Sequence, residues 1–271
     1  MRATQGEFDP SWGLEPTPSM KVSVPIVSDT LVENLRSQTV RTTPGVKRIT
    51  GPATVELENG EELEVDTIVC CTGFRNDYSI LDPRFDPSAN PPEEWLAAPG
   101  SKGRPLPRLY QNVFSLSAPD SLAFLGSVWF ATGAFFLADV ASMCITQVWA
   151  GHSHLPPQPK MEGWADRHSK EIIALANRGS PLPASVASGE WLAWADKTAG
   201  TGLYSHIGWG WEGWLFWMRK RRLWKMIMDG PLTSAAWRLF DEGKRKPWDG
   251  ARETIERVNK EVEQARAKKT R

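Results

Sequence analysis

Apolar residues fall along this chain in two rhythms. Up to about residue 126 they come in short runs and alternations cut by Gly, Pro, Asn and Asp; from Gly133 onward they recur every three or four positions. The first rhythm predicts strands and turns, the second helices. Val55, Leu57, Leu63 and Val65 alternate with polar residues on either side of Asn59-Gly60, the best short turn signal in the chain. A two-residue loop would set Leu57 opposite Glu62. A three-residue loop with Gly60 left-handed puts the four apolar residues on one face, so the bulged form is expected. From Glu64 the chain runs through Ile68, Val69, Cys70 and Cys71 to Thr72-Gly73-Phe74. This reads as a strand buried on both faces, as in a parallel sheet. It ends either in an ordinary core turn or at a ligand site, where Gly73 lets a large group come close.

Leu122–Leu125 reads as a second buried strand, ending at Gly126. A loop, Ser127-Val128-Trp129-Phe130-Ala131-Thr132-Gly133, leads from it into an apolar helix that runs to Trp149. Strand, small-residue turn and helix together would aim backbone N–H groups and a positive helix end at a cleft, or simply start a core helix. Further helices are expected near 162–177, 188–198, 213–228 and 249–268, with Glu253–Arg257 and Glu256–Lys260 as pairs on the last. Ser28–Leu35 reads as one helical turn or two, with Ser28 and Asp29 both fit N-caps, and 39–49 suggests two short strands about Pro44-Gly45. Leu109–Phe114 reads as a short strand. Residues 1–20 and the Pro-rich stretch 75–108 read as irregular.

Charge narrows the function classes. Lys+Arg and Asp+Glu stand at 32 each, so nothing draws the chain towards nucleic acid. Three cysteines without a Cys-x-x-Cys spacing read as reduced core residues of an intracellular protein. No signal peptide is apparent, and Gly133–Trp149 is too short and too polar for a transmembrane helix. A cytoplasmic or peripherally membrane-associated protein is expected. Trp209, Trp211, Trp214 and Trp217 precede Arg219-Lys220-Arg221-Arg222. Such a pairing anchors a protein at a membrane surface through Trp209–Arg222, or else the rings line a core or channel and the cations are solvated. His152, His154, Glu162 and His168 match no zinc spacing, so no metal is assigned. Gly208–Gly213 is filled by tryptophans and follows no apolar strand, which excludes a phosphate loop.

Several segments carry more when taken in order. The run from Asp66 to Thr72-Gly73-Phe74 resembles the Ala-Thr-Gly-Tyr or Ala-Thr-Gly-Phe segment of flavin-containing monooxygenases. Phe8–Pro16 is similar to that family's Gly-Leu-x-Pro region, Val27–Leu31 to its Val-Asn-Asp-Glu-Leu, and Leu109–Phe114 to its Leu-Tyr-x-x-Val-Phe. Ala123–Gly126, Gln147–Gly151, Leu155–Pro157, Gly230–Thr233 and Lys246–Arg252 follow in the family's order. The matches span nearly all of 8–252. The two Gly-rich fingerprints with which that family holds FAD and NADPH are not found.

The resemblance implies an α/β chain: a partial FAD/NAD(P)-binding, Rossmann-like architecture with a β-ribbon in its N-terminal part and a mainly helical C-terminal part. Residues 1–74 would be a remnant of the NADPH domain with its return ribbon. Residues 75–108 would form a connecting loop packed over the cofactor cleft, 109–160 the last part of the FAD domain, and 161–271 a helical region. The implied activity is NADPH- and O2-dependent oxygenation of a small nucleophile such as an amine or sulfide, and Baeyer–Villiger insertion is not distinguished from it. Thr72, Gly73, Phe74, Gly126, Trp129, Thr132 and Gly133 would touch the cofactor, with the tips at 73 and 126 side by side; no catalytic residue is assigned. Where many members carry Gln or Arg followed by Pro, this chain has Trp129 and Phe130, which removes a polar contact. With only part of the site encoded, the chain alone is expected to bind FAD poorly, to be inactive and to self-associate through an open face. The alternative is a non-catalytic module that uses its Trp-rich region on a membrane or a protein partner.

Overall fold

A computed structural model of the chain describes residues 8–14, 19, 21–22, 28–71, 73, 76–240 and 245–269. The chain divides into two compact units, residues 1–76 and 77–271.

The first unit holds a short helix, α1 (Leu31–Arg36), and a three-stranded antiparallel meander of β1 (Val46–Gly51), β2 (Thr54–Leu57) and β3 (Glu62–Glu64), in that order. The Ser28 hydroxyl accepts the N–H groups of Thr30 and Leu31 at 3.3 and 3.1 Å and so starts α1. In the β2–β3 hairpin Val55 faces Leu63, and the Leu57 N–H donates to Glu61 O at 2.8 Å. That leaves three loop residues, with Gly60 at φ 85°. This is the bulged form that the alternation demanded, and it buries Val55 and Leu57 on one face. Only one strand forms from 39–49, because residues 41–45 make no ladder.

The run 66–71 departs from expectation. It belongs to no sheet and is exposed; Val69 shows 77% of its surface, and Cys70 and Cys71 are exposed too. A strand buried on both faces needs neighbours on both edges and a layer on each side. Here the ribbon's bonding stops at the Val65 N–H, which donates to Ala53 O at 2.8 Å.

The second unit is mainly helical: α2 (Glu93–Ala97), α3 (Ala134–Trp149), α4 (Gln158–Ala176), α5 (Ser188–Ala199), α6 (Leu203–Ile207), α7 (Trp211–Asp229) and α8 (Ala251–Lys269). A two-stranded hairpin of β4 (Leu109–Tyr110) and β5 (Phe114–Ser115) precedes α3. The sequence read this hairpin as one strand. Its turn is made by Gln111 and Asn112, both at φ 55°. The expected strand at 122–125 reduces to a single bridge between Ala123 and Phe114, and Leu125 is exposed. Among the described residues the ladders are all antiparallel, and parallel pairing is limited to one bridge, Trp129 to Ser185. The chain is thus a mixed helix-and-sheet protein with small antiparallel sheets.

The main core packs α3 on α5 with Val140, Cys144, Trp191 and Ala195 fully buried, and adds Trp237 and Ile255 from the C-terminal part. Cys144 is the one cysteine that behaves as a core residue. On α8 the i,i+4 pairs are Arg252–Glu256 and Arg257–Glu261, not those expected from Glu253 and Lys260; Arg252 occupies the carboxylate that Lys260 would need.

The Pro-rich connection is not a free lid. Its Trp95 and Leu106 are buried with Ile172 and Ala176 of α4 in a second small core, and the Trp95 indole donates to Arg104 O at 2.7 Å. A Cβ on Gly100 would sit 1.6 Å from Gly179 O, so this contact tolerates only glycine. The Arg104 guanidinium closes it by donating to Gly100 O and Pro181 O at 2.9 and 2.7 Å. The segment is held against α4.

Candidate functional site

Residues 122–133 form a bracket between the small hairpin and α3. The Phe124 N–H donates to Val113 O at 2.8 Å and fastens the entry. Gly126 turns in the left-handed region at φ 85°, which only glycine adopts without strain. Ser127 and Val128 then go inward. Trp129 is clamped by its backbone: its N–H donates to Ala184 O at 2.7 Å, and its C=O accepts from the Val186 N–H at 3.0 Å. The Phe130 ring rests on Trp191 with centroids 6.2 Å apart. Thr132 folds its N–H back to Phe130 O at 2.6 Å, and Gly133 opens α3.

The outer edge of this bracket is open. Leu125, Gly126, Ala131, Gly133 and Ala134 are exposed, and Phe135 shows 93% of its surface. A Cβ added at Gly126 or Gly133 would meet nothing within 4 Å. Gly133 has no side chain with which to cap the helix. The N–H groups of Ala134, Phe135 and Phe136 therefore precede the first intrahelical bond, from Leu137 to Gly133 at 3.4 Å. The result is an apolar shelf ending at the positive end of a 16-residue helix. A flat aromatic group with a carbonyl or anionic edge suits such a surface.

Four of the seven residues singled out in the sequence, Gly126, Trp129, Thr132 and Gly133, come together on this bracket. Gly73 belongs to the first unit, where it is exposed at φ 81° with nothing within 4 Å of an added Cβ. Thr72 and Phe74 lie outside the described residues. Trp129 is locked by its backbone to 184–186, and Phe130 packs on the core through Trp191.

A second feature went unnoticed in the sequence. A cavity of about 140 Å³ is lined by Gln111, Trp164, Arg167, His168, Glu171, Glu190 and Trp191, among others. The strained Gln111–Asn112 turn forms its edge. The Trp191 indole donates to Gln111 O at 3.0 Å, and Asn112 Nδ2 donates to Ala184 O at 3.2 Å. His168 is buried and stacks on Trp164 with centroids 5.0 Å apart; its Nε2 lies 3.1 Å from Asn112 Nδ2 and 3.2 Å from Pro183 O. Burial holds the His168 pKa below its ordinary value, and the Pro183 carbonyl offsets this only in part. The one clue in the sequence was an asparagine, which tolerates left-handed backbone better than most residues.

Residues 6–271 match the model of the family described as flavin-binding monooxygenase-like. The chain belongs to this family. It is 40% identical over 257 residues to monooxygenase aurF of Gibberella zeae, covering 95% of this chain and 49% of that protein. It is 32% identical over 130 residues to the probable indole-3-pyruvate monooxygenase YUCCA8 of Arabidopsis thaliana, covering 44% of this chain and 30% of that one. It is also 28% identical over 108 residues to the flavin-containing monooxygenase FMO GS-OX5 of the same plant, covering 40% of this chain and 21% of that one. The chain thus spans about half the length, or less, of the curated relatives it matches. Among the described residues no helix is long and apolar enough to cross a membrane.

Proposed function

We propose that this chain supplies the flavin-facing bracket and the helical body of an NADPH- and O2-dependent monooxygenase acting on soft nucleophiles such as amines and sulfides. The observation that carries the reading is the open shelf from Leu125 to Phe135, in a chain that belongs to a flavin-binding family. Two glycines face open space, a helix starts without a side-chain cap, and a large apolar side chain stands in solvent beside them. These features fit one face and one polar edge of an isoalloxazine ring.

When bound, such a flavin supplies the redox chemistry, taking hydride from NADPH and activating O2. The chain's own residues bind, orient and exclude water. Gly126 and Gly133 leave room for close approach. The N–H groups at the start of α3 would be available to an electron-rich edge of such a group, and Phe135 and Leu125 would shield it from water. Trp129 and Thr132 fix the shape of the bracket through their backbone bonds. In this reading residues 1–74 belong with the NADPH domain, 109–160 complete the FAD domain, and 161–271 brace it. A complete pyrophosphate cradle is not among these contacts, so FAD binding by this chain alone is weak. Titration of FAD with the purified chain, read as quenching of flavin fluorescence, should give a dissociation constant well above micromolar. Micromolar or tighter binding would refute the partial-site reading.

A further inference from the structure

We propose that α7 and the loop before it form a docking surface for an anionic lipid bilayer, independent of the flavin bracket. Large apolar side chains stand in solvent here: Trp209 shows 93%, Trp211 75%, Trp214 51% and Met218 56% of their surfaces. Trp209, Trp214, Trp217, Trp224 and Met228 surround one apolar concavity of about 310 Å³. This arrangement is built, not frayed. A Cβ on Gly213 would sit 1.9 Å from Gly208 O, so glycine at 213 lets α7 press on the end of α6 and splay Trp209 and Trp211 outward.

The same helix carries Arg219, Lys220, Arg221, Arg222 and Lys225, all exposed, against Glu212 and Asp229 at its two ends. None of the five cations makes an ion pair among the described residues, whereas each Arg in 238–257 with a nearby carboxylate uses it, as in Arg238–Asp139 and Arg252–Glu256. The Arg221 guanidinium lies 5.3 Å from the Trp217 ring, so cation and aromatic share a face. Lys220 leaves helical geometry at φ −136°, ψ 39°, which kinks α7 between Trp211, Trp214 and Trp217 on one side and Arg221, Arg222 and Lys225 on the other. Indole rings at the depth of the head groups with cations at the phosphates is the chemistry of an interfacial helix. Unspent positive charge selects an anionic surface over a neutral one, and over an apolar protein partner.

The test uses the whole chain with vesicles of phosphatidylcholine alone and with 30% phosphatidylserine, by co-sedimentation and by the shift of tryptophan emission. The chain should partition onto the phosphatidylserine vesicles with a blue shift, and 0.5 M salt should weaken this. Changing Arg219, Lys220, Arg221 and Arg222 together to Gln should lower partitioning by roughly 100-fold or more. Trp209→Ala with Trp211→Ala should remove the blue shift. All six side chains are exposed, so the variants should melt like the parent, and melting curves check this. Equal binding to both vesicle types, no binding at low salt, or dimerisation abolished by the Trp209 and Trp211 changes would each overturn the proposal.

Discussion

Replacing Trp191 by Phe tests how the bracket and the strained turn are held. Trp191 is 1% exposed and has three jobs. Its indole N–H pays off the Gln111 carbonyl at 3.0 Å, its ring supports Phe130, and it packs against Trp194 with centroids 5.8 Å apart. Phe keeps an aromatic ring but loses the N–H and part of the volume. The lost hydrogen bond costs about 1 kcal/mol, and the smaller ring about 1–2 kcal/mol for the void it leaves. The sum, about 2–3 kcal/mol, lowers the melting midpoint of a unit of this size by roughly 5–10 °C. Urea titration followed by far-UV circular dichroism measures the change, with Trp214→Phe as the exposed control, expected within about 0.5 kcal/mol of the parent. A Trp191→Phe midpoint equal to that of the parent would show that the Gln111–Asn112 turn does not depend on the indole.

Three more outcomes are expected. Because burial lowers the His168 pKa, the unfolded chain takes up its proton first on acidification. This contribution is complete above the unfolded value near 6.5 and declines as pH falls below it, by up to about 1.4 kcal/mol per unit; His168→Gln should flatten stability over that range in a pH series of urea titrations, and an unchanged slope would refute the assignment. A thiol reagent should modify Cys70 and Cys71 in the native protein and reach Cys144 only in denaturant, since burial holds that thiol far above its ordinary pKa; rapid reaction of all three would contradict the core placement. Gly133→Leu should shift stability by no more than about 1 kcal/mol, because φ is −67° and nothing lies near the added side chain, yet weaken flavin quenching by about fivefold or more.

The parts of the fold legible in the sequence were those in which local chemistry and tertiary need agree. Asn59-Gly60 with its flanking alternation dictated both the hairpin and its bulge. The 3.6-residue rhythm of α3, α4, α5, α7 and α8 placed the helices close to their observed positions. Runs of apolar residues misled where they state only a need for cover: Ile68–Cys71 reads as a buried strand but joins no ladder among the described residues, and Leu122–Leu125 reads as one but adds only a single bridge to β5. Trp95 was hidden for the opposite reason, as one aromatic residue among prolines whose partner on α4 is far along the chain. The left-handed Gln111–Asn112 turn broke what looked like a single strand, and neither residue is a glycine. On the candidate site, the sequence named the bracket residues; it did not show that Trp129 is tied by its backbone to 184–186.

Hydrogen–deuterium exchange of the whole chain with and without millimolar FAD addresses the open shelf most directly. The account predicts slower exchange at the amides of 126 to 137, centred on the start of α3, with α4, α5 and α7 unchanged. Protection confined to those other helices, or none at a concentration that quenches flavin fluorescence, would contradict it.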